Sequence, residues 1–410
     1  MKLPNSWKYQ ALKDIIEDTQ LGVNVKSSVD TEGIPLLKMG NLTIGDFNFN
    51  KLENTCEIIE NIENYYLKYG DFLFNTRNTP ELVGKSAVWK WNDKKIIFNS
   101  NIMRINFIEN IDSFFLGYYF SSKRGWNKLK LISTGTTSVG AIYTKDLLKV
   151  KVPLPPLEEQ KKIADILSTV DKKIAFVEEN INATEELKKG LMQKLLTEGI
   201  GHTEFKDSEL GRIPESWKVV KLEEVCTKIV GGGTPSKNEP DYWNNGTIPW
   251  VTPSEFTKSK SNYISVTESK ISEEGLKNSS ATLLAIGTVI MSSRATIGEC
   301  KINTIEITTN QGFISFQCND LLNNLYLLYF IKQNKPNILK ISSGSTFLEV
   351  SRTSMKNFSI AIPPLEEQKQ IAEILSTVDK KLENLKEKKQ SFEELKKGLM
   401  QKLLTGEVRL

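Results

Sequence analysis

The segment PLEEQKKIADILSTVDKKI at residues 156–174 decides the organisation of the chain, because it recurs as PLEEQKQIAEILSTVDKKL at residues 364–382. At the same displacement of 208 residues, EELKKGLMQKLLT at residues 185–197 is repeated at residues 393–405. About 30 of the 42 positions compared are identical, which is far beyond chance. The chain of 410 residues is therefore two copies of one unit.

Each repeated segment has the pattern of a long helix. It begins after a double proline, Pro155-Pro156 or Pro363-Pro364, where the first helical turn does not need the missing amide. Two glutamates lie in each first turn, and their negative charge favours a helix N-terminus. Apolar residues then alternate steps of four and three, which is the seam of a coiled coil. The seam residues are Ile163, Leu167, Val170, Ile174, Val177 and Ile181 in the first copy, and Ile371, Leu375, Val378, Leu382 and Leu385 in the second.

We expect the two long helices to pair with each other. A helix of about 41 residues is ~60 Å long, which exceeds the width of a domain of ~150 residues, so its seam needs a further partner. The alternative is that each helix packs only on its own domain. If a pseudo-two-fold axis relates the two units, the helices run antiparallel. The predicted fold class is mixed α/β globular regions with long antiparallel coiled-coil helices and an internal duplication.

The segments that precede the helices are predicted to be globular. Short apolar runs rich in β-branched and aromatic residues predict strands, and a longer run after them predicts a helix. The second segment repeats this order. The predicted strands cover residues 32–42, 70–75, 86–91 and 102–107, then 246–251, 287–294 and 307–316, and the predicted helices cover residues 113–130 and 323–333.

We expect the chain to divide into four parts. These are globular regions at residues 1–153 and 205–362, a helix with its linker at residues 154–204, and a second helix at residues 363–410. Residues 198–212 are expected to serve only as a connection.

The composition is that of a globular protein, with 39% hydrophobic and 25% charged residues. No apolar run reaches the ~18 residues that a membrane span needs, and MKLPNSWKYQ at the start lacks a signal-peptide pattern. We therefore expect a cytoplasmic protein with no membrane partner. The four cysteines are far apart and form no C-x-x-C pair, which argues against a disulfide framework and a zinc site. The single histidine, His202, lies in a polar stretch and is expected to be a solvated linker residue.

No catalytic motif stands out. GGGTPSK at residues 231–237 lacks the Gly-Lys pair of a phosphate loop and is expected to be a flexible loop. Asp241 with the segment Glu268 to Lys270 resembles the acidic residues of a metal-dependent nuclease, but the first copy has no equivalent. An S-adenosylmethionine loop and a base-methylation element are also missing. The sequence predicts a protein that is not an enzyme and binds no cofactor or metal of its own.

The remaining polar residues suit recognition of double-stranded DNA. Arg77 and Arg294 each follow a predicted strand, and an arginine can donate to guanine or to phosphate, although a surface ion pair is an equally good explanation. Asn101 aligns with Asn310 at a displacement of 209. Net charge, at +4, is too small to decide the matter. The candidate DNA-binding residues are Arg77, Asn78, Lys85, Asn101, Lys128, Lys237, Lys258, Arg294, Asn310 and Gln311.

Several motifs together resemble one family. The two PPLEEQ segments, each ending in GLMQKLLT, closely resemble the helical regions of the specificity subunit of type I restriction-modification systems. GDFLFNTRNTPELVGKSAVW at residues 70–89, GGGTPSKNEPDYWNNGTIPWVTPSEF at residues 231–256, SSRATIG at residues 292–298 and TTNQGF at residues 308–313 look like target-recognition domains of that family. The resemblance covers essentially the whole chain.

The resemblance implies a DNA-recognition subunit without catalysis of its own. Each globular region would read one half of a bipartite DNA site, while the helices set the spacer and dock two methylation subunits. S-adenosylmethionine, ATP and Mg²⁺ would be bound by the methylation subunits and by restriction/motor subunits. The partner-docking candidates, which have helix stabilisation as an alternative role, are Glu158, Glu159, Gln160, Glu366, Glu367 and Gln368.

Two other functions remain open from the residues. A duplicated coiled-coil adaptor would organise protein partners without reading DNA sequence. A self-sufficient nuclease would cut DNA with Mg²⁺.

Overall fold

The chain forms two compact units, each built from one globular region and a part of both long helices. Unit 1 comprises Met1–Glu179 and Glu387–Leu410, and unit 2 comprises Asn180–Lys386. The computed structural model describes residues 4–135, 138–344 and 348–410. No helix in these ranges is both long and apolar enough to cross a membrane.

The globular region of unit 1 is a set of small sheets packed against helices. Its main sheet is antiparallel in the order β2-β9-β5-β7, and a second sheet has the order β4-β3-β8. The strands are β1 Lys8–Ala11, β2 Ile16–Leu21, β3 Ile34–Leu37, β4 Glu53–Thr55, β5 Phe72–Asn75, β6 Arg77–Asn78, β7 Ser86–Val88, β8 Ile97–Phe98, β9 Ile102–Phe107, β10 Thr134–Gly135, β11 Gly140–Ala141 and β12 Lys151–Leu154; the helices are α1 Ser113–Ser121, α2 Lys123–Ile132, α3 Thr144–Leu147 and the long α4 Leu157–Leu195.

Unit 2 repeats this plan. Its main sheet has the order β16-β23-β20-β21-β18, and the sheet β19-β17-β22 corresponds to β4-β3-β8. The strands are β13 Phe205–Ser208, β14 Gly211–Pro214, β15 Lys218–Lys221, β16 Cys226–Gly231, β17 Ile248–Val251, β18 Tyr263–Ile264, β19 Lys270–Ile271, β20 Val289–Ser292, β21 Cys300–Asn303, β22 Thr308–Thr309, β23 Phe313–Cys318 and β24 Ser359–Ile362; the helices are α5 Leu222–Val225, α6 Pro253–Lys258, α7 Glu273–Lys277, α8 Asn324–Gln333, α9 Lys335–Lys340, α10 Arg352–Lys356 and the long α11 Leu365–Leu403.

The mixed α/β prediction is confirmed, but two predicted elements are each divided in two. The strand predicted at residues 307–316 is the separate strands β22 and β23, which belong to different sheets. The helix predicted at residues 113–130 is two helices, α1 and α2, separated at Ser122, whose hydroxyl accepts a hydrogen bond from Gly125 N. Gly125 lies against the Tyr119 carbonyl so closely that a Cβ there would approach the oxygen to 2.1 Å. This close contact turns the chain into a second helix.

The long helices run antiparallel within each unit. In unit 1, Asp171 and Glu178 of α4 form ion pairs with Lys396 and Lys389 of α11. The residue that is later in α4, Glu178, thus pairs with the residue that is earlier in α11, Lys389. In unit 2, Lys188 of α4 pairs with Asp379 of α11 at 2.6 Å, and Glu185 pairs with Lys386 at 2.7 Å.

Both explanations of the apolar seam hold, in different parts of the helices. Ile163 and Leu167 at the start of α4 are fully buried in the core of their own globular region, together with Leu403 from the end of α11. Further along α4, Val177 and Ile181 are also buried. The seam therefore serves first as domain core and then as coiled coil.

The linker prediction is wrong in two respects. Residues 205–214 form the antiparallel hairpin β13-β14 instead of a plain connection. His202 is partly buried, and its Nε2 lies 2.8 Å from Glu367 Oε1. The linker is thus anchored to the start of α11 by a contact that the polar sequence around His202 does not reveal.

Candidate nucleic-acid interface

The two arginines occupy the same position in their units. Arg77 follows β5 and pairs through its backbone with Ala141, in the segment after α2. Arg294 follows β20, the counterpart of β5, and forms an antiparallel bridge with Glu349, in the segment after α9. The strand order thus supports the predicted equivalence of Arg77 and Arg294.

The side chains of these arginines have different neighbours. Arg77 is exposed, and the described residues give it no ion-pair partner. The buried Asn75 side chain donates a hydrogen bond to the backbone carbonyl of Arg77 and so fixes the backbone at this residue. Arg294 Nε instead forms an ion pair of 2.9 Å with Glu349, and the two side chains are 47% and 42% exposed. A pair so open to water is weak, and Arg294 can exchange Glu349 for another acceptor at little cost.

A tight turn fixes the chain after Arg294. Thr296 N donates to the Arg294 carbonyl, and the central residue, Ala295, has a φ of +55°. An alanine rarely adopts this left-handed conformation, which costs roughly 1 kcal/mol or more. Such local strain is common where a loop is shaped for binding.

The two asparagines predicted to be equivalent are not. Asn310 N donates to the Val251 carbonyl at the end of β17, and its Oδ1 accepts from Gly312 N. In unit 1 the same bonds are made by Asn99, whose N donates to Leu37 O and whose Oδ1 accepts from Asn101 N. Asn101 therefore corresponds to Gly312, and the displacement is 211 instead of 209, which the sequence match missed.

In each unit, a glycine lets a neighbouring segment approach the backbone beside the Asn310 or Asn99 turn. At Gly232, an added Cβ would lie 1.9 Å from Asn310 O, and at Gly22 it would lie 2.0 Å from Phe98 O. Gly233 N donates to Thr309 O, and Gln311 Oε1 accepts from the Thr234 hydroxyl. The GGGTPSK segment is thus tied to the Asn310 turn, and the two present a joint surface.

The predicted lysines fall into two groups. Lys237 and Lys258 are exposed, the latter beside Glu268 at 3.0 Å. Lys85 is buried and donates to the Leu42 carbonyl, and this burial lowers the pKa of its ammonium. Its placement contradicts the prediction of a phosphate contact.

Lys128 is also used inside its unit. It donates to the Lys151 carbonyl and lies over the Tyr9 ring. Burial, with a smaller effect from Arg124, lowers its pKa. Asn78 is engaged as well, because it donates to Asn75 Oδ1 at 2.9 Å. The candidates with exposed side chains are therefore Arg77, Arg294, Lys237, Lys258 and Gln311, of which Arg294, Lys258 and Gln311 each have a partner within the chain.

The glutamines at the two helix starts fasten each long helix to its globular region. Gln160 Nε2 donates to the Pro155 and Asn110 carbonyls, and its Oε1 accepts from Asp112 N. Gln368 does the same with Pro363 O, Leu321 O and Asn323 N. Asp112 and Asn323 are the N-caps of α1 and α8.

The second glutamate of each helix start is likewise turned inward. Glu159 accepts from Trp7 Nε1 and forms a two-bond ion pair with Arg409. Glu367 accepts from Trp217 Nε1 and from Ile200 N. These tryptophans lie in two similar segments, LPNSWK at residues 3–8 and IPESWK at residues 213–218. Only the first glutamates, Glu158 and Glu366, present their carboxylates to solvent, being 82% and 79% exposed.

An aspartate in each repeated block connects three elements. Asp379 of α11 accepts hydrogen bonds from the Tyr329 hydroxyl of α8 and from Asn262, and it pairs with Lys188. Burial would raise the pKa of Asp379, but Lys188, Tyr329 and Asn262 hold it below its ordinary value. The sequence pattern did not single out Asp379, although a polar residue that is identical in both copies directly beside the seam is a usable signal.

Unit 1 contains the matching arrangement with one partner fewer. Asp171 of α4 accepts from the Tyr118 hydroxyl at 2.8 Å and pairs with Lys396 at 2.6 Å. Each globular region is thus joined to both long helices at one carboxylate.

A comparison with known proteins identifies the family. The sequence profile described as "Type I restriction modification DNA specificity domain" matches residues 4–186 and again residues 214–394. The chain belongs to this family. The two matched segments confirm that it is a specificity subunit with two target-recognition domains.

Similar proteins carry the same description over long stretches. The chain is 30% identical to a type I restriction enzyme MjaX specificity subunit of Methanocaldococcus jannaschii, covering 100% of this chain and 95% of the relative. The MjaVIII specificity subunit of the same organism is 32% identical, with 77% and 75% covered. A crystal structure of the type I S subunit from M. genitalium has a TM-score of 0.63 at 16% identity, with 98% of each chain covered, and shows the same fold.

The described residues also bear on metal binding. In residues 4–135, 138–344 and 348–410, no three His, Cys, Asp or Glu side chains are grouped so as to hold a metal ion. Asp241 and Glu268 therefore do not form part of such a group.

Proposed function

We propose that this chain selects the DNA sequence on which a type I restriction-modification complex acts. Each target-recognition domain reads one half of a bipartite site, and the chain itself performs no catalysis. The observation that carries this proposal is the equivalent placement of Arg77 and Arg294 in two otherwise different loop surroundings. One scaffold with different side chains around the same arginine suits the reading of two different half-sites.

The surroundings of the arginines support different specificities. Arg77 has no ion-pair partner in the described part of the chain, whereas Arg294 lies beside the Glu349 carboxylate. A carboxylate accepts from the amino group of cytosine and repels phosphate. The two domains would therefore prefer different bases next to the contact made by the arginine.

The helices supply the other functions in this proposal. Two methylation subunits dock on them, and those subunits bind S-adenosylmethionine, while restriction/motor subunits bind ATP and Mg²⁺. The exposed carboxylates Glu158 and Glu366 are the docking residues of the helix starts that remain available to a partner. The helices also set the spacer between half-sites, so that extending both by one matched turn should widen it.

The decisive experiment maps methylated adenines in a host that carries this chain and its methylation subunit. Deletion of this chain alone should remove one motif made of two short blocks around a fixed gap. Arg77→Ala and Arg294→Ala should each weaken discrimination in one block only, by about 1 to 3 kcal/mol for an arginine that contacts guanine with two bonds. Loss of discrimination in both blocks from one substitution contradicts the modular reading.

The duplicated adaptor is the competing function. It predicts that no methylated motif disappears on deletion, although the methylation subunit is expressed and intact. A nuclease would instead reveal itself by Mg²⁺-dependent cutting of DNA by the purified chain.

A further inference from the structure

Two cysteines face each other across the main sheet of unit 2. Cys226, the first residue of β16, is the register partner of Cys318, the last residue of β23. Asn319 N donates to the Val225 carbonyl at 3.0 Å on one side of the cysteines, and the register shifts between Cys226 and Lys228 on the other side. In an antiparallel ladder the bond from Asn319 makes them a non-hydrogen-bonded pair, for which the Cα atoms are about 4.5 Å apart. That separation lies within the range of about 4.4 to 6.8 Å that a disulfide accepts.

The side chains of the pair are in contact and one of them is accessible. Cys226 is 8% exposed, and a hydrogen bond joins its thiol to that of Cys318. Cys318 is partly exposed, and it lines an open cavity of about 570 Å³ together with Thr227 and Gln317. A small oxidant can therefore reach the Cys318 thiol, and the buried Cys226 thiol lies next to it.

The other cysteines provide a contrast. Cys56 is exposed and belongs to unit 1. Cys300 is buried, and its thiol donates to the Leu328 carbonyl at 3.3 Å. Among the cysteines in the described part of the chain, only Cys226 and Cys318 are paired with each other in a strand register.

We propose that Cys226 and Cys318 are a redox modification site that a peroxide converts to a cross-strand disulfide. The Cys318 thiolate attacks one peroxide oxygen, which breaks the O–O bond and gives a sulfenic acid and, after proton uptake, water. The Cys226 sulfur then attacks the Cys318 sulfur, and the hydroxyl leaves with the Cys226 proton as a second water. Two thiols are thereby oxidised by two electrons, and one hydrogen peroxide is reduced to two waters.

The disulfide would close the end of the ladder that lies away from the candidate DNA loops. β16 continues from Cys226 to Gly231, where the GGGTPSK loop begins, and β23 reaches Cys318 from the Asn310 turn. A bond between residues so far apart in sequence restricts the unfolded chain strongly and stabilises the folded domain.

The reaction is expected to be slow at neutral pH. The hydrogen bond between the Cys318 and Cys226 thiols and the burial of Cys318 both raise the pKa of the Cys318 thiol. Because the thiolate is the reacting species, the rate should increase as the pH is raised. In a reducing compartment the pair is present as thiols.

The test uses the full chain with Cys56→Ser, which removes the exposed lone thiol. After treatment with hydrogen peroxide at mildly alkaline pH, we expect a mass decrease of two hydrogen atoms and a linked pair of peptides containing Cys226 and Cys318. The midpoint of thermal unfolding of unit 2 should rise by about 5 °C or more and return to its original value on reduction with dithiothreitol.

Matched variants make the result specific. Adding Cys300→Ser should change neither the linkage nor the thermal shift, whereas Cys226→Ser or Cys318→Ser should abolish both. The proposal is overturned if both thiols can still be alkylated after oxidation, if Cys318 accumulates as sulfinic acid, or if the linked form is no more stable than the reduced one. These measurements need no DNA, so they succeed or fail independently of the proposed function.

Discussion

Replacing Asp379 with alanine should strongly destabilise unit 2, because the substitution removes the common acceptor of three donors. The carboxylate receives three donors: Lys188 at 2.6 Å, Tyr329 at 2.7 Å and Asn262 at 2.7 Å. The side chains of Asp379 and Lys188 are only 21% and 23% exposed, so water replaces the lost contacts poorly. The substitution leaves a half-buried ammonium and a tyrosine hydroxyl without their acceptor.

The magnitude follows from these contacts. A charge-assisted bond to a partly buried lysine contributes about 2 kcal/mol, and each neutral donor contributes about 1 kcal/mol, so Asp379→Ala should cost about 3 to 4 kcal/mol. Asp171 has two donors, Lys396 and Tyr118, and is 30% exposed. Asp171→Ala should therefore cost unit 1 about 2 to 3 kcal/mol.

Hydrogen exchange during urea unfolding of the full chain measures this difference, because helices α1 and α8 report on the two units separately. Glu373→Ala, an exposed acidic position on the same helix, should change the free energy of unfolding by less than about 0.5 kcal/mol. The reasoning is refuted if Asp379→Ala costs unit 2 no more than the Glu373 control, or less than Asp171→Ala costs unit 1.

Three further predictions concern acid, the helix start and DNA. The pKa of Asp379 is lowered on folding, so its stabilising contribution is present above the unfolded pKa of about 3.9 and is lost as the pH falls through the folded pKa. In acid titrations of unfolding, the stability difference between the native chain and Asp379→Asn should therefore shrink below about pH 4. Gln368→Ala removes three hydrogen bonds of a fully buried amide and should lower the free energy of unfolding in urea by about 3 kcal/mol. Glu366→Ala, at an exposed neighbouring position, should lower it by less than about 0.5 kcal/mol. Equal effects would contradict the role of Gln368 in fastening the helix. Lys237→Met should reduce the salt dependence of DNA binding by about one unit of slope, while Lys85→Met should leave that slope unchanged, as filter-binding titrations at several salt concentrations would show.

The long helices were predictable because their signals are local and redundant. The double prolines, the glutamates in the first turn and the steps of four and three all agree, and the observed helices begin one residue after Pro156 and Pro364. Strand β9 was also predicted with its observed bounds, since the apolar run IMRINF is bounded by turn residues. The break at Ser122 was not predictable, because it depends on the contact of Gly125 with a carbonyl that is six residues earlier.

The candidate interface was predicted in part. The equivalence of Arg77 and Arg294 follows from similar strands before them, and that local signal was sufficient. The roles of Lys85 and His202 depend on tertiary partners, Leu42 and Glu367, which no local pattern identifies. The shift from Asn101 to Asn99 arises because loops between matched strands differ in length, so a constant displacement cannot align them.

The identical PLEEQ starts of the two long helices have a consequence for how this protein can change over time. Glu159 and Glu367 each accept a hydrogen bond from a tryptophan indole. Gln160 and Gln368 each accept one from the backbone amide of an N-cap residue, that of α1 in unit 1 and that of α8 in unit 2. A different globular region that carries a tryptophan and an N-cap amide at these places would meet the same glutamate and glutamine at either helix start. Exchange of a recognition domain would therefore preserve these two contacts, while the contacts of Glu159 with Arg409 and of Glu367 with His202 differ between the copies.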